Sequence, residues 1–292
     1  MPEIKFLSHL ENPPKGPLPL YTLSPAPSDT KAVLSLAQQF GLAGTPDKGR
    51  LTEQAATLTY AEGPLQVTLH RASGGVRFQD LQRWQVDDGS AHIDIPDVEA
   101  IAIAKRQVKK LALAPPDEIQ VLKVTRLRVG TAEASGKKAE ERIIDVGVAF
   151  QRLVGGIPVD GPGGKLIVYL DHEGQVTGVD RLWRTIKRAS KPIAVQPPEF
   201  AERDLVKYWG KAGTDGAGRI EVREVRFGYF EQGWNEVQTV LQPAYVLPLT
   251  LISGDERVAM KSVHVIAASV KPSGVLMPPA KKPLKLRPRK LK

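Results

Sequence analysis

The stretch KLIVYLDHEGQVTGVDRLW (165–183) constrains this chain more than any other: two runs rich in β-formers are split by Asp171-His172-Glu173-Gly174. Valine, isoleucine and tyrosine favour extended backbone, and a glycine supplies the positive φ of a tight reversal, so the stretch predicts an antiparallel hairpin. The same device recurs with RASGGV (71–76) and ISGDERV (252–258) at the turns. Further strands are expected at 55–61, 65–71, 76–86, 119–129, 141–154, 175–186, 218–230, 236–252 and 257–269.

Three helices punctuate these strands. SDTKAVLSLAQQFGL has Ser28 or Asp29 to cap it, apolar residues at helical spacing, and Gly41 at its end. The second starts near Asp97, the candidate N-cap, and closes at Pro115-Pro116; the third covers 197–210, with proline and acids early and Gly210 last. Helix followed by strands thus occurs three times. At an offset of one hundred residues Val67 falls on Ile167, Gly74 on Gly174, Val76 on Val176 and Asp80 on Asp180, with Trp84 one step from Trp183. The order predicts duplicated modules at 29–95, 96–190 and 196–270, the first two being either separate or a single unit. They are flanked by an extended proline-rich arm (1–28) and a basic tail (271–292).

Residues 155–176 hold six glycines, with Lys165 just after the last Gly-Gly pair, which raises the question of a phosphate loop. Such a loop needs G-x-x-x-x-G-K-[S/T] between a strand and a helix. Val159 stands where the first glycine belongs, Leu166 offers no hydroxyl, and LIVYL continues as strand. The dinucleotide pattern fails as well, because its last position falls on Leu166. These glycines are expected to bend or bulge a strand before it re-pairs.

VAFQRLVGGIPVDGPGGKLIVYLDHEGQVTGVDRLWRTI (148–186) resembles the propeptide modules of thermolysin-like and fungalysin-like metalloproteases and the related PepSY-type domains. The matching positions are Phe150, Arg152, Gly156, Ile157, Pro158, Val159, Gly161 and the turn Gly174; TVLQPAYVLPLTL (239–251) is similar to a later strand of such regions. The resemblance covers 100–186 and 196–268 and is faint over 29–95. It implies an α+β fold of tandem cystatin-like modules, each a helix packed on a curved antiparallel sheet. No H-E-x-x-H follows, and the histidines (9, 70, 92, 172, 264) are scattered, so any inhibitory or chaperone-like role would act on a separate protein.

Chemistry is sparse. Cysteine is absent, which excludes disulfides and thiolate sites. His70 and His264 fall within strands, Asp171-His172-Glu173 and Asp87-Asp88-Gly89 read as turns, and no serine occupies a nucleophile elbow. Neither an enzymatic activity nor a cofactor or metal is expected. The tail KKPLKLRPRKLK (281–292) carries seven of the 41 basic residues, and the other 34 nearly balance 32 acids. Lys281, Lys282, Lys285, Arg287, Arg289 and Lys290 therefore form a basic arm able to meet nucleic acid or another anionic partner. Trp84, Trp183 and Arg184 are candidates for a partner platform through indole–guanidinium stacking. With no apolar run of membrane-spanning length and no signal-like start, the chain is expected to be cytoplasmic or the mature form of an exported protein. The expected function is non-catalytic binding of another protein, a protease or an assembly subunit. The alternative is a structural subunit of a larger assembly, anchored by its two arms.

Overall fold

The computed structural model describes residues 2–10, 12, 14–84, 93–129, 142–211, 217–274 and 276. Sixteen strands and three α-helices carry these residues. The first half contains β1 (Glu3–Phe6), β2 (Tyr21–Leu23), α1 (Thr30–Gln39), β3 (Arg50–Glu53), β4 (Thr57–Glu62), β5 (Leu65–His70), β6 (Val76–Asp80), α2 (Asp97–Lys110) and β7 (Ile119–Val129). Next come β8 (Arg142–Val154), β9 (Ile157–Asp160), β10 (Lys165–Leu170), β11 (Val176–Leu182), β12 (Ile186–Ala189) and α3 (Pro198–Lys211). The chain continues through β13 (Ala217–Val222), β14 (Arg226–Phe230), β15 (Val240–Ser253) and β16 (Ala259–Ala267).

The helices follow local chemistry. Asp29 caps α1, its Oδ1 accepting the Ala32 N–H at 2.8 Å. α2 begins after Pro96 without a side-chain cap, with Asp97 and Glu99 in its first turn and Lys109 and Lys110 in its last, as the helix dipole favours. One face of α2 buries Ala100, Ala104 and Val108, and one face of α3 buries Ala201, Leu205 and Trp209, both at i, i+4, i+8 spacing.

The chain divides into two compact units. The larger comprises Ser24–Thr185 and Gly233–Val237. Its sheet runs β3-β4-β5-β6-β11-β10-β8-β7, antiparallel throughout, and β9 folds back on the end of β8. α1 packs on β4 and β5, and α2 on β7, β8 and β10. Both helices share one core with Val67, Leu69, Val76, Phe78, Val146, Val148, Phe150, Leu166, Val168 and Leu170. Alternation then places Arg77, Gln79, Gly147, Ile167, Tyr169, Gly178 and Asp180 on the opposite face.

The smaller unit comprises Met1–Leu23, Ile186–Gln232 and Gln238–Lys292. β15 is its axis: β16 pairs along one side, while β14 takes Gln242–Val246 and β13 takes Leu249–Ser253. Pro248 interrupts neither ladder. Its carbonyl accepts from Arg223 N–H at 3.0 Å, so the absent N–H faces the gap between β13 and β14. The N-terminal arm supplies β1, parallel to β13, and β2, which joins β12 and β15. α3 packs beside β16.

This architecture overturns the expectation of tandem cystatin-like modules. The larger unit is one eight-stranded sheet in which β6, from the first expected module, pairs with β11, from the second. The hundred-residue correspondence fails on register too. Val67 is fully buried in the core, whereas its counterpart Ile167 lies on the other face of the sheet. The first strands of the two hairpins are therefore in opposite phase, and Val76 and Val176 both meet the core only because the register of β11 shifts, so the hairpins are no repeat. What does correspond is turn chemistry, with Gly74 at φ 68° and Gly174 at φ 70°. Several strands are also shorter than expected: 76–86 ends at Asp80, 218–230 breaks between Val222 and Arg226, and 175–186 divides into β11 and β12. Among the described residues no helix is long and apolar enough to cross a membrane.

Candidate functional site

The resemblance positions are structural supports. Phe150 is buried in the core, and Gly156 and Gly161 take φ values of 78° and 92° on either side of β9, which contains Ile157, Pro158 and Val159. Gly164 (φ 62°) packs so close to Val159 that a Cβ would stand 2.5 Å from its Cγ1. Lys165 Nζ donates to the carbonyls of Val159 and Gly163 at 2.9 and 3.1 Å, so the lysine of the supposed phosphate loop ties down its own turn.

Trp183 and Arg184 are buried. The guanidinium over the Trp183 ring belongs to Arg152, 4.9 Å from the centroid, and also donates to the Arg184 carbonyl at 2.7 Å. Arg184 Nη2 donates to the carbonyls of Gly233 and Glu236 at 2.9 and 2.6 Å, anchoring the Gly233–Val237 segment. That segment brings Trp234 against His70, whose pKa is lowered by burial and then by Arg77. Trp84 is different. Its side chain is 44% exposed, and Nε1 donates to Asp145 Oδ2 at 2.9 Å. Asp87-Asp88-Gly89, His92 and the basic positions Lys281, Lys282, Lys285, Arg287, Arg289 and Lys290 lie outside the described residues.

Two features of the fold present chemistry to solvent. The first is a cleft of about 140 Å³ on the open face of the larger sheet. A row across three strands makes it: Gly147 and Gly178 are the direct partners of Tyr169 on β8 and β11, and Tyr169 lies along both glycines. A Cβ on Gly178 would stand 3.3 Å from Tyr169 Cδ2, and one on Gly147 would stand 3.2 Å from Cε1. Beside the row, Arg77 grips Asp180 through Nε at 2.6 Å and Nη2 at 3.1 Å. Burial and the neighbouring Asp180 carboxylate push the Tyr169 phenol up to about 12, so it stays protonated. Trp84, Phe78, Gln79 and Thr177 complete the lining.

Behind Trp84, Asp145 is a carboxyl in an expensive position. Burial pushes it up to about 6, with a small contribution from the Asp171 charge, against the Trp84 hydrogen bond and the nearby Leu170 and Val146 amides. Its Oδ1 has no hydrogen-bond partner. Asp171 is itself held, its Oδ1 accepting from Glu173 and Gln175 N–H and its Oδ2 from Arg83 at 2.7 Å. The Asp171-His172-Glu173 stretch is therefore a closed turn. Among the described residues no group of three or more histidines and carboxylates could hold a metal ion.

The second feature is the free side of β16. Pro248 directs its backbone toward β13 and β14, so its partner Val263 turns its own N–H and C=O away from β15. By alternation Lys261 and Val265 do the same. Between Ala259 and Ile266 these outward groups meet no strand among the described residues. Val263 is 43% exposed, and Tyr208 of α3 stands beside the edge, its ring 4.9 Å from that of His264. His264 Nε2 lies 3.7 Å from the Asp204 carboxylate, beyond hydrogen-bond length, and burial lowers its pKa. Sequence reasoning placed β16 as a strand; that one side of it stays open depends on Pro248 and the β15 pairing.

No family model and no curated protein matches the chain. Among solved structures, an uncharacterized protein from Eubacterium rectale ATCC 33656 is similar at 13% identity and a TM-score of 0.51, over 87% of this chain and 84% of that one. The likeness concerns the fold alone.

Proposed function

We propose that the chain is a non-catalytic binding protein that takes an extended segment of another polypeptide as an added strand along β16. The observation that carries this reading is the state of that edge. Proteins blunt exposed strand edges by shortness, bulges or charge. β1, β3 and β12 have four residues each, and β7 carries two bulges together with Lys123, Arg126 and Arg128. β16 has nine residues in unbroken register, with Lys261 its only formal charge at neutral pH. The partner is a polypeptide because the groups on offer are backbone donors and acceptors at strand spacing. The resemblance to protease propeptides supports a role of the same class, inhibitor- or chaperone-like toward a separate protein.

Selection of peptides from a random displayed library on the full chain tests this reading, followed by hydrogen-exchange mapping. The expected result is protection of the Lys261, Val263 and Val265 amides. Val263→Pro removes one outward donor without touching the β15 ladder, so it should abolish binding and leave the melting temperature nearly unchanged. Peptides that protect other elements, or that bind the proline variant equally well, would refute the proposal.

A further inference from the structure

The cleft of the larger unit contains an irregularity that its fold does not require. Tyr169 pairs with Gly178 and the next residue, Leu170, pairs with Val176, which leaves Thr177 as an extra residue in β11. Bulges of this kind re-aim a side chain and cluster beside functional sites. Thr177 lines the cleft, is only 3% exposed, and its Oγ1 has no hydrogen-bond partner. A buried hydroxyl without a partner is costly in an otherwise satisfied structure. Oγ1 is sealed from solvent as it stands, so the cost is relieved when the side chain turns toward the cleft and a ligand there supplies the missing partner.

The surroundings restrict that ligand. Arg77 and Asp180 neutralise each other in a two-bond ion pair, so the cleft offers no net charge to an ion. A purely apolar ligand would leave the Thr177 hydroxyl and the Gln79 amide unsatisfied. Trp84 and Tyr169 are aromatic walls. The volume is close to the ~150 Å³ that accommodates a benzene ring. A neutral six-membered ring that carries hydroxyls meets the polar and aromatic conditions. Because it is larger than benzene, it enters the open cleft in part and leaves its remaining hydroxyls in solvent.

We propose that this cleft binds one neutral monosaccharide residue, with Trp84 and Tyr169 against the ring and Thr177, Gln79 and Asp180 bonded to its hydroxyls. The inference concerns different residues from the β16 edge and stands apart from that reading. The test is saturation-transfer NMR on the full chain with the methyl glycosides of glucose, galactose, mannose and N-acetylglucosamine at millimolar concentration. At least one should bind. Thr177→Val keeps the shape and removes only the hydroxyl, so it should weaken binding by about 3- to 10-fold, as expected for one hydrogen bond. Trp84→Ala, at an exposed position, should weaken binding further, whereas Val263→Pro should have no effect. Failure of all four glycosides to bind, or binding indifferent to Thr177→Val and Trp84→Ala, would overturn the proposal. So would preferential binding of inorganic phosphate or of a tyrosine-containing peptide in the same cleft.

Discussion

Replacing Asp145 by asparagine gives a direct measure of how the cleft's back wall is built. The carboxyl has an ordinary value of 3.8 and is raised to about 6 in the folded chain, mainly because burial penalises its charged form. Each pH unit between those values corresponds to ~1.4 kcal/mol, so burying the ionised group costs at most about 3 kcal/mol near neutral pH. Because the folded-state value lies above the unfolded one, the folded protein holds this proton more tightly. The resulting stability is fully present below the unfolded value of 3.8 and is lost as pH rises through about 6. Asparagine has nearly the same shape, carries no charge, and keeps a carbonyl to accept from Trp84 Nε1. Urea unfolding of both proteins from pH 4 to pH 8 is the assay. The advantage of Asp145→Asn over the natural chain should grow by up to ~3 kcal/mol from acid to alkaline pH, with most of the change below pH 7. A difference that is independent of pH, or that grows toward acid, would refute the assignment of a costly buried charge.

Gly147→Ala should destabilise the larger unit by about 1–3 kcal/mol, because the added methyl would stand 2.8 Å from Thr125 Oγ1 and 3.2 Å from the Tyr169 ring; the urea midpoint reads it. His264 has the opposite pH sign to Asp145. Burial lowers its pKa, with Asp204 partly opposing, so the stability from its neutral form is present above the unfolded value and is lost as pH falls through 6.5 and below. His264→Gln should flatten that acid-side loss in thermal melts, and an unchanged slope would contradict it.

Much of the local structure is legible in the sequence. β7 and β10 fall at the expected residues, and the three helices start within a residue or so of their expected places. Asp29 caps α1, and the turns at Gly74 and Gly174 have the positive φ that the sequence requires, whereas in the third turn Glu256 (φ 58°) takes it and Gly254 does not. The cleft was less legible. Trp84 stood out as an aromatic residue, but nothing local marked Tyr169, whose importance comes from glycines 22 residues before it and nine after it in the sequence, Gly147 and Gly178. Nor does the text of β11 mark Thr177 as a bulge, because a bulge is defined by what the partner strand omits.

By itself the sequence determined the three helices, the longer strands and most of the glycine reversals, because those choices depend on side-chain branching, capping groups and glycine within a few residues; the short strands β1, β2, β3 and β9 were not marked in it. It also ruled out thiol chemistry, since cysteine is absent. Only the tertiary structure decided which strands meet. Arg77 pairs beside Asp180, and Glu3 runs parallel to Arg219, through backbone groups that are alike at every position. Strand pairing is thus settled by register, by which edges stay free and by how two faces are buried at once. Those long-range conditions joined two expected modules into one sheet and left β16 with an open side.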